Sequence, residues 1–219
     1  MLQNRVDPFG NIIRTPERGH WMGNRGLLHN EHQEIVRPFR LKAWITCVLA
    51  FKGRRRKVMA PGQYTELFFF DEATAFAAGH RPCFECRRED ALRFKRYWLK
   101  GNPSYGFDEK TLIREIDEVL HEERIAPDGS KVLFGERFDR LPNGSFISWK
   151  GEAYLVHDGF VYRWTPGGYE AGVAWPEGVA ASEGVAGPEG VVRPKGVATP
   201  EGVVEVLTPR SVVNAFRAG

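Results

Sequence analysis

A pair of cysteines three positions apart, set between a Gly-His-Arg-Pro turn and a basic stretch, constrains this chain more than any other feature. The segment is Gly79-His80-Arg81-Pro82-Cys83-Phe84-Glu85-Cys86-Arg87-Arg88. Two thiolates at that spacing can hold one Zn²⁺ from a tight knuckle. The same pair can instead be a redox dithiol, with Arg87 and Arg88 lowering the thiol pKa, although no thioredoxin-like βαβ context surrounds it. Upstream, Asp71 can cap a short helix over 72–78 and Gly79 can end it. Downstream, residues 87–100 read as a second helix whose Phe94, Tyr97 and Trp98 form a packing face.

Tetrahedral zinc needs four protein ligands, or three plus a water in a catalytic site. The chain has three cysteines and six histidines. Cys47 lies in the apolar run Ala43-Trp44-Ile45-Thr46-Cys47-Val48-Leu49-Ala50-Phe51, which reads as a buried strand. It is therefore either a third ligand or a core residue. His29 or His32 can complete the set, with Glu31 and Glu34 accepting from the remaining ring nitrogen. The candidate ligands are Cys83, Cys86, Cys47 and His29. A rival chemistry uses the same residues. His29-Asn30-Glu31 and Pro82-Cys83-Phe84-Glu85-Cys86 are elements of the zinc deaminase signature, in which a glutamate carries protons to and from a metal-activated water. Glu31, Glu34 and Glu85 are the candidates for that role. The 54-residue gap between His29 and Cys83 and the Ala-rich helical segment before Pro82 both count against it.

The segment Phe68-Phe69 followed by Asp71 through Cys86 resembles the second half of the zinc-binding domain of Ada-type DNA methylphosphotriester repair proteins, over roughly residues 43–98. The resemblance implies a short helix, a Gly-x-Arg-Pro-Cys-x-x-Cys turn, a second helix and a metal knuckle. The family's upstream Cys-x-x-x-Cys pair, which carries its nucleophile, is replaced here by Cys47 with Phe51 four positions later. The resemblance thus implies the fold and the metal, and does not imply alkyl transfer.

Charge is unevenly spread. The chain carries +3, but residues 1–100 hold 19 basic and 10 acidic residues, a surplus of +9, and the remainder is at −6. This is the footprint expected for phosphate backbones. Arg54, Arg55 and Arg56, with Arg87 and Arg88, are the candidate nucleic-acid contacts, DNA being preferred to RNA. A solvated turn and a solvated helix face would look the same. Apolar residues make up 42% of the chain, enough for a core. No apolar run reaches membrane-spanning length, the N-terminal stretch has no leader-like apolar core, and three cysteines make no disulfide framework. A cytoplasmic protein with reduced thiols is expected.

Along the chain, Asn4 to Asn30 reads as loop. Trp21-Met22-Gly23-Asn24-Arg25-Gly26 is an irregular loop, or one in which Arg25 clamps a phosphate or carboxylate. Strands are expected over 41–52 and 65–70, and a third helix over 109–125 with His121 in its last turns, solvated or stabilising the helix dipole. Phe146-Ile147-Ser148-Trp149, Glu152 to Val156 and Phe160 to Trp164 form a β-meander, joined by Lys150-Gly151 and Asp158-Gly159. Gly-Val then recurs every six residues from 172 to 202 in a Gly- and Pro-rich tract, which reads as an extended insert. A strand over 203–207 and a helix over 210–217 close the chain. The expectation is an α+β protein: an Ada-like, basic metal-binding domain over 1–104, a helix plus β-meander module over 105–169, a low-complexity insert over 170–203, and a terminal strand and helix over 204–219. Its leading function is zinc-organised nucleic-acid binding related to DNA repair. The alternatives are a zinc-dependent hydrolase acting on nucleic acid or nucleotides, and a Cys-x-x-Cys redox protein.

Overall fold

Asp71 starts the first helix as its sequence requires. In the computed structural model, which describes residues 1–54, 57–170 and 202–219, its carboxylate accepts from the backbone N–H and the hydroxyl of Thr74 at 2.7 and 2.6 Å. Helix α1 spans Glu72–Ala77, and Gly79 at φ +85° turns the chain out. A Cβ on Gly79 would lie 2.5 Å from Arg124 Cδ, so glycine serves both the left-handed turn and a close approach. Arg55, Arg56 and most of the hexad repeat lie outside the described residues.

The class is mixed α+β. The first sheet is built from β1 (Arg5–Val6), β2 (Ile12–Ile13), β3 (Trp21–Asn24), β4 (Ile45–Cys47), β5 (Leu67–Phe69) and β6 (Arg81–Pro82), in the order β2-β1-β5-β3-β4-β6. Strand β3 is central and antiparallel to both neighbours, with Met22 opposite Cys47 and Trp21 opposite Phe69. The segment read as a glycine loop is therefore an interior strand. Its Gly23 is a packing residue, since a Cβ there would lie 2.3 Å from the Phe69 ring. The 41–52 strand is real only over Ile45–Cys47, where β3 and β6 offer pairing.

Strand side chains alternate between faces, and the alternation divides this sheet. Met22, Asn24, Ile45, Cys47 and Phe68 line a cavity on one face. Leu67 and Phe69 point the other way, into a core with Val6, Leu28, Ala75 and Ala78.

The second sheet holds β7 (Phe134–Arg137), β8 (Phe146–Trp149), β9 (Glu152–His157), β10 (Phe160–Thr165), β11 (Gly168–Glu170) and β12 (Val203–Val206), in the order β11-β10-β9-β8-β12-β7, all antiparallel. The meander is present as read. Lys150-Gly151 (φ +48°, +79°) and Asp158-Gly159 (φ +50°, +75°) have the positive dihedrals of primed hairpin turns. The sheet is wider than that meander because β12 inserts between β8 and β7.

Helices α2 (Arg88–Gly101), α3 (Ile113–Arg124) and α4 (Arg210–Ala218) share a core of Phe94, Trp98, Ile116, Leu120, Val212 and Ala215. The aromatic face of α2 is packing. Helix α3 starts four residues later than the sequence pattern, because Asp108 closes a turn on the N–H groups of Lys110 and Thr111 at 2.9 and 3.0 Å. His121 is only partly exposed. It packs edge-on to Phe39 at 4.8 Å, and its Nδ1 lies 3.1 Å from Arg124. Ala77 of α1 packs with Phe146, Ala153 and Leu207, tying the second sheet to the first helix.

Candidate metal centre

Cys47 ends β4, and Cys83 and Cys86 sit on the turn between β6 and α2. Parallel pairing of β4 with β6 puts Ile45 beside Arg81 and Thr46 beside Pro82, and the Cys83 N–H donates to Thr46 O at 3.0 Å. That register delivers Cys47 to the knuckle. All three sulfurs lie within 4.8 Å of one another, and none is in a disulfide. Three thiolates around one zinc, with Zn–S near 2.3 Å, need sulfurs about 3.8 Å apart. The cluster fits a tetrahedral ion with small side-chain adjustments.

The electrostatics point the same way. The Cys47 thiol donates to Cys83, and the N–H groups of Cys86 and Glu85 face the Cys83 sulfur, so its pKa falls to about 5. The Glu85 N–H lies 3.3 Å from that sulfur. Cys47 is pushed far up by that same bond, by burial and by its two sulfur neighbours, and Cys86 is raised by burial. The cluster by itself thus favours one thiolate. A divalent cation is the group that lets all three ionise together.

The sulfurs open on a cavity of about 270 Å³. Met22, Phe51 and Phe68 give it an apolar wall, and Glu66 is a polar one. Glu66 is buried; one carboxylate oxygen accepts from the Met59 N–H at 2.8 Å, and the other has no hydrogen-bond partner among the described residues. Glu85 also lines the cavity but is exposed and ion-paired with Arg54 at 2.7 Å.

His29 is not brought to the cysteines. Its Nδ1 lies 2.6 Å from Thr65 Oγ1 and its Nε2 3.2 Å from Ala60 O, and an isolated bridge to Ile35 holds it in its own turn. Both ring nitrogens are engaged, which makes it a structural histidine. Glu34 accepts from Asn30 and Glu31 is exposed, so neither joins the cluster. The His-x-Glu half of the deaminase pattern is therefore separated from its Pro-Cys half. Among the three glutamates read from the sequence only Glu85 lines the cavity, and Glu66 was missed. Its signal was a carboxylate at the head of the apolar run Leu67-Phe68-Phe69-Phe70.

The candidate phosphate contacts divide. Arg54 and Arg88 are exposed. Arg87 is buried, paired with Glu72 and with Asp90 at 2.9 Å, and lies over the Trp21 ring at 4.1 Å. Its charge is consumed inside the fold, which corrects its reading as a phosphate contact. Arg25, read as a possible ligand clamp on a loop, is a buried residue at the end of β3.

No family model and no solved structure matches the chain. The DNA-directed RNA polymerase subunit beta'' of Psilotum nudum is 35% identical over 68 residues, which is 29% of this chain and 5% of that subunit. The chain thus spans about a twentieth of the length of the curated protein it matches.

Proposed function

We propose that the chain is a cytoplasmic zinc protein that associates with nucleic acid, DNA in preference to RNA. Cys47, Cys83 and Cys86 serve as thiolate ligands, and the fourth position faces the cavity. The convergence of three free thiols from two distant segments carries this reading. Soft thiolate donors favour zinc over magnesium or calcium. The order of α1, the Gly79-to-Pro82 turn, the cysteine pair and α2 agrees with what the Ada-type resemblance implies, and supports an Ada-like knuckle. Nucleic-acid association is supported by the basic first hundred residues, by exposed Arg54 and Arg88, and by the name of the polymerase subunit that a part of the chain matches.

A second reading has its own observation. Three protein ligands with an open position is the pattern of a catalytic zinc, and Glu66, one oxygen of which has no partner among the described residues, lines the same cavity. Zinc, when bound, supplies Lewis acidity there, and Glu66 is placed to hold a proton beside it. The substrate class in this reading is nucleic acid or nucleotides.

Elemental analysis of wild type, Cys83→Ser, Cys47→Ser and His29→Ala tests the metal. One zinc per chain is expected, lost in the first variant, weakened in the second and unchanged in the third. Metal-free protein from careful purification would end the zinc reading and leave a Cys-x-x-Cys redox pair. Binding to DNA and RNA duplexes across a salt series tests the partner. Arg88→Ala should reduce the log–log salt slope by about 1, and Arg54→Ala by less, because Glu85 already compensates Arg54. No binding at low salt would remove nucleic acid.

A further inference from the structure

Buried cations in proteins are paired with carboxylates, and much of this chain obeys. Arg81 forms two hydrogen bonds with Asp117, both 2.7 Å, and Arg87 is held by Glu72 and Asp90. Two arginines break the rule. Arg25 and Arg124 are 1% and 2% exposed, and every hydrogen-bond partner each has is neutral. Arg25 Nε donates to His80 Nε2 at 3.2 Å and its Nη1 to Gly10 O at 2.9 Å. Arg124 donates to the carbonyls of Gly79 and Lys42 and lies against His121 Nδ1. Both guanidiniums stack on Trp44, at 3.8 and 4.1 Å from its centroid. After all this, Arg25 Nη2 and Arg124 Nε remain buried donors without a partner among the described residues.

These two side chains share a cavity of about 500 Å³, on the sheet face opposite the cysteines, with Lys131 and, at its exposed rim, Arg37. Among the described residues that line it there are four cations and no carboxylate. Asp7 is the nearest acid felt by Arg25 and Lys131, and it is bonded to the backbone and side chain of Asn11 at 2.9 and 3.0 Å. Asp117 is taken by Arg81, and Glu118 by Lys42. His80 adds no charge. Burial and the surrounding cations hold it well below the usual histidine range. The wall therefore keeps more than one uncompensated positive charge, fixed in place before any ligand arrives. A monoanionic carboxylate leaves part of it unbalanced, whereas a dianion with several acceptor oxygens matches the charge of the wall.

We propose that this cavity is a binding site for a dianionic phosphate group, either inorganic phosphate or the monoester of a small molecule, held by Arg25, Arg124 and Lys131 with Arg37 at the entrance. The site is independent of the metal reading: it uses none of the cysteines and lies across the sheet from them.

The test is thermal unfolding of the full chain with inorganic phosphate, sulfate, a nucleoside monophosphate or succinate, each against sodium chloride at matched ionic strength, followed by calorimetric titration. Phosphate at about 100 times its Kd should raise the Tm by roughly 5–10 °C over chloride. A larger rise with the monophosphate assigns the site to an ester, and equal rises assign it to the free ion. Lys131→Met should weaken phosphate at least tenfold, Lys131→Arg should retain it, and Lys110→Ala, at an exposed lysine outside the cavity, should leave it unchanged. No rise over chloride overturns the proposal, as does a rise with succinate alone. A phosphate effect that survives unchanged in Lys131→Met places the anion elsewhere and also overturns it.

Discussion

The two faces of the first sheet carry opposite surpluses. On one, Cys47, Cys83, Cys86 and Glu66 gather anionic or potentially anionic donors around a cavity. On the other, Arg25, Arg124 and Lys131 gather cations. Adjacent residues feed the two sides: Asn24 lines the first cavity and Arg25 the second, while Trp44 and Ile45 divide the same way. Strand alternation thus lets a few residues of β3 and β4 serve two chemistries. Like groups buried together without a counterpart report the sign of what they receive, a cation on one face and an anion on the other.

The comparison breaks most easily at the metal. Chelation of the zinc-loaded protein should lower the Tm by more than about 10 °C. Structural zinc is linked to folding by several kcal/mol, and each kcal/mol shifts a chain of this size by roughly 2–4 °C. Zinc should restore the transition, and removing phosphate should never cost as much. Scanning calorimetry with chelator and zinc add-back measures it. An unmoved transition would mean that the thiol face receives no cation.

The next largest effect contrasts paired with unpaired buried charge. Asp117→Asn strips the partner from Arg81, whose side chain is as buried as that of Asp117. It should cost about 3–5 kcal/mol in denaturant unfolding. Lys131→Met in phosphate-free buffer removes a cation whose one acceptor among the described residues is the Ala77 carbonyl, at 2.6 Å. It should change stability by less than about 1 kcal/mol, in either direction. Equal costs would show that the second face is already compensated.

What the sequence made legible was local. The Asp71 cap reaches three residues, the knuckle spans four, and the primed turns join neighbouring strands; each is dictated by the residues it contains. What it hid depends on pairs distant in the chain. Gly23 reads as loop until the Phe69 ring fills the space above it. His29 reads as a ligand until Thr65 takes one ring nitrogen and Ala60 the other. Arg87 reads as a surface base because Trp21 and Glu72 lie on other elements. Cys47 was one option among several until the β4–β6 register placed it. The cationic cavity had no motif at all: residues 25 and 124 meet on Trp44, and residue 131 joins them through the Ala77 carbonyl.

A smaller effect separates the faces by pH. Burial, with repulsion from Arg25 and Arg124, lowers the Lys131 pKa from its ordinary value to about 7. A base whose folded pKa is depressed binds fewer protons folded than unfolded between the two values. Its penalty is therefore full below pH 7 and is relieved as pH rises toward 10.5. Wild type should gain stability relative to Lys131→Met between pH 7 and 9. Saturating sulfate, a dianion throughout this range, should flatten the gain. Paired denaturant titrations at the two pH values measure it, and a relative loss with rising pH would contradict the assignment of Lys131 to a cation-rich wall.

The smallest effect lies at the mouth of the cysteine cavity. Arg54 and Glu85 are paired at 2.7 Å with about half of each side chain exposed, so Glu85→Gln should cost only about 0.2–1 kcal/mol. Its consequence for binding is larger than its consequence for folding. The substitution removes the carboxylate that holds Arg54 and raises its pKa, leaving that guanidinium as an uncompensated surface cation. Nucleic-acid affinity should rise a few-fold at low salt, and the log–log salt slope should steepen by up to about 1, as one more phosphate contact becomes available. Zinc content should stay at wild-type level, because Glu85 meets the cluster through its backbone N–H to Cys83, which glutamine keeps. A variant that loses zinc while the salt slope stays fixed would instead make the Glu85 carboxylate a participant in the metal centre, with Arg54, which lines the same cavity, as its partner there.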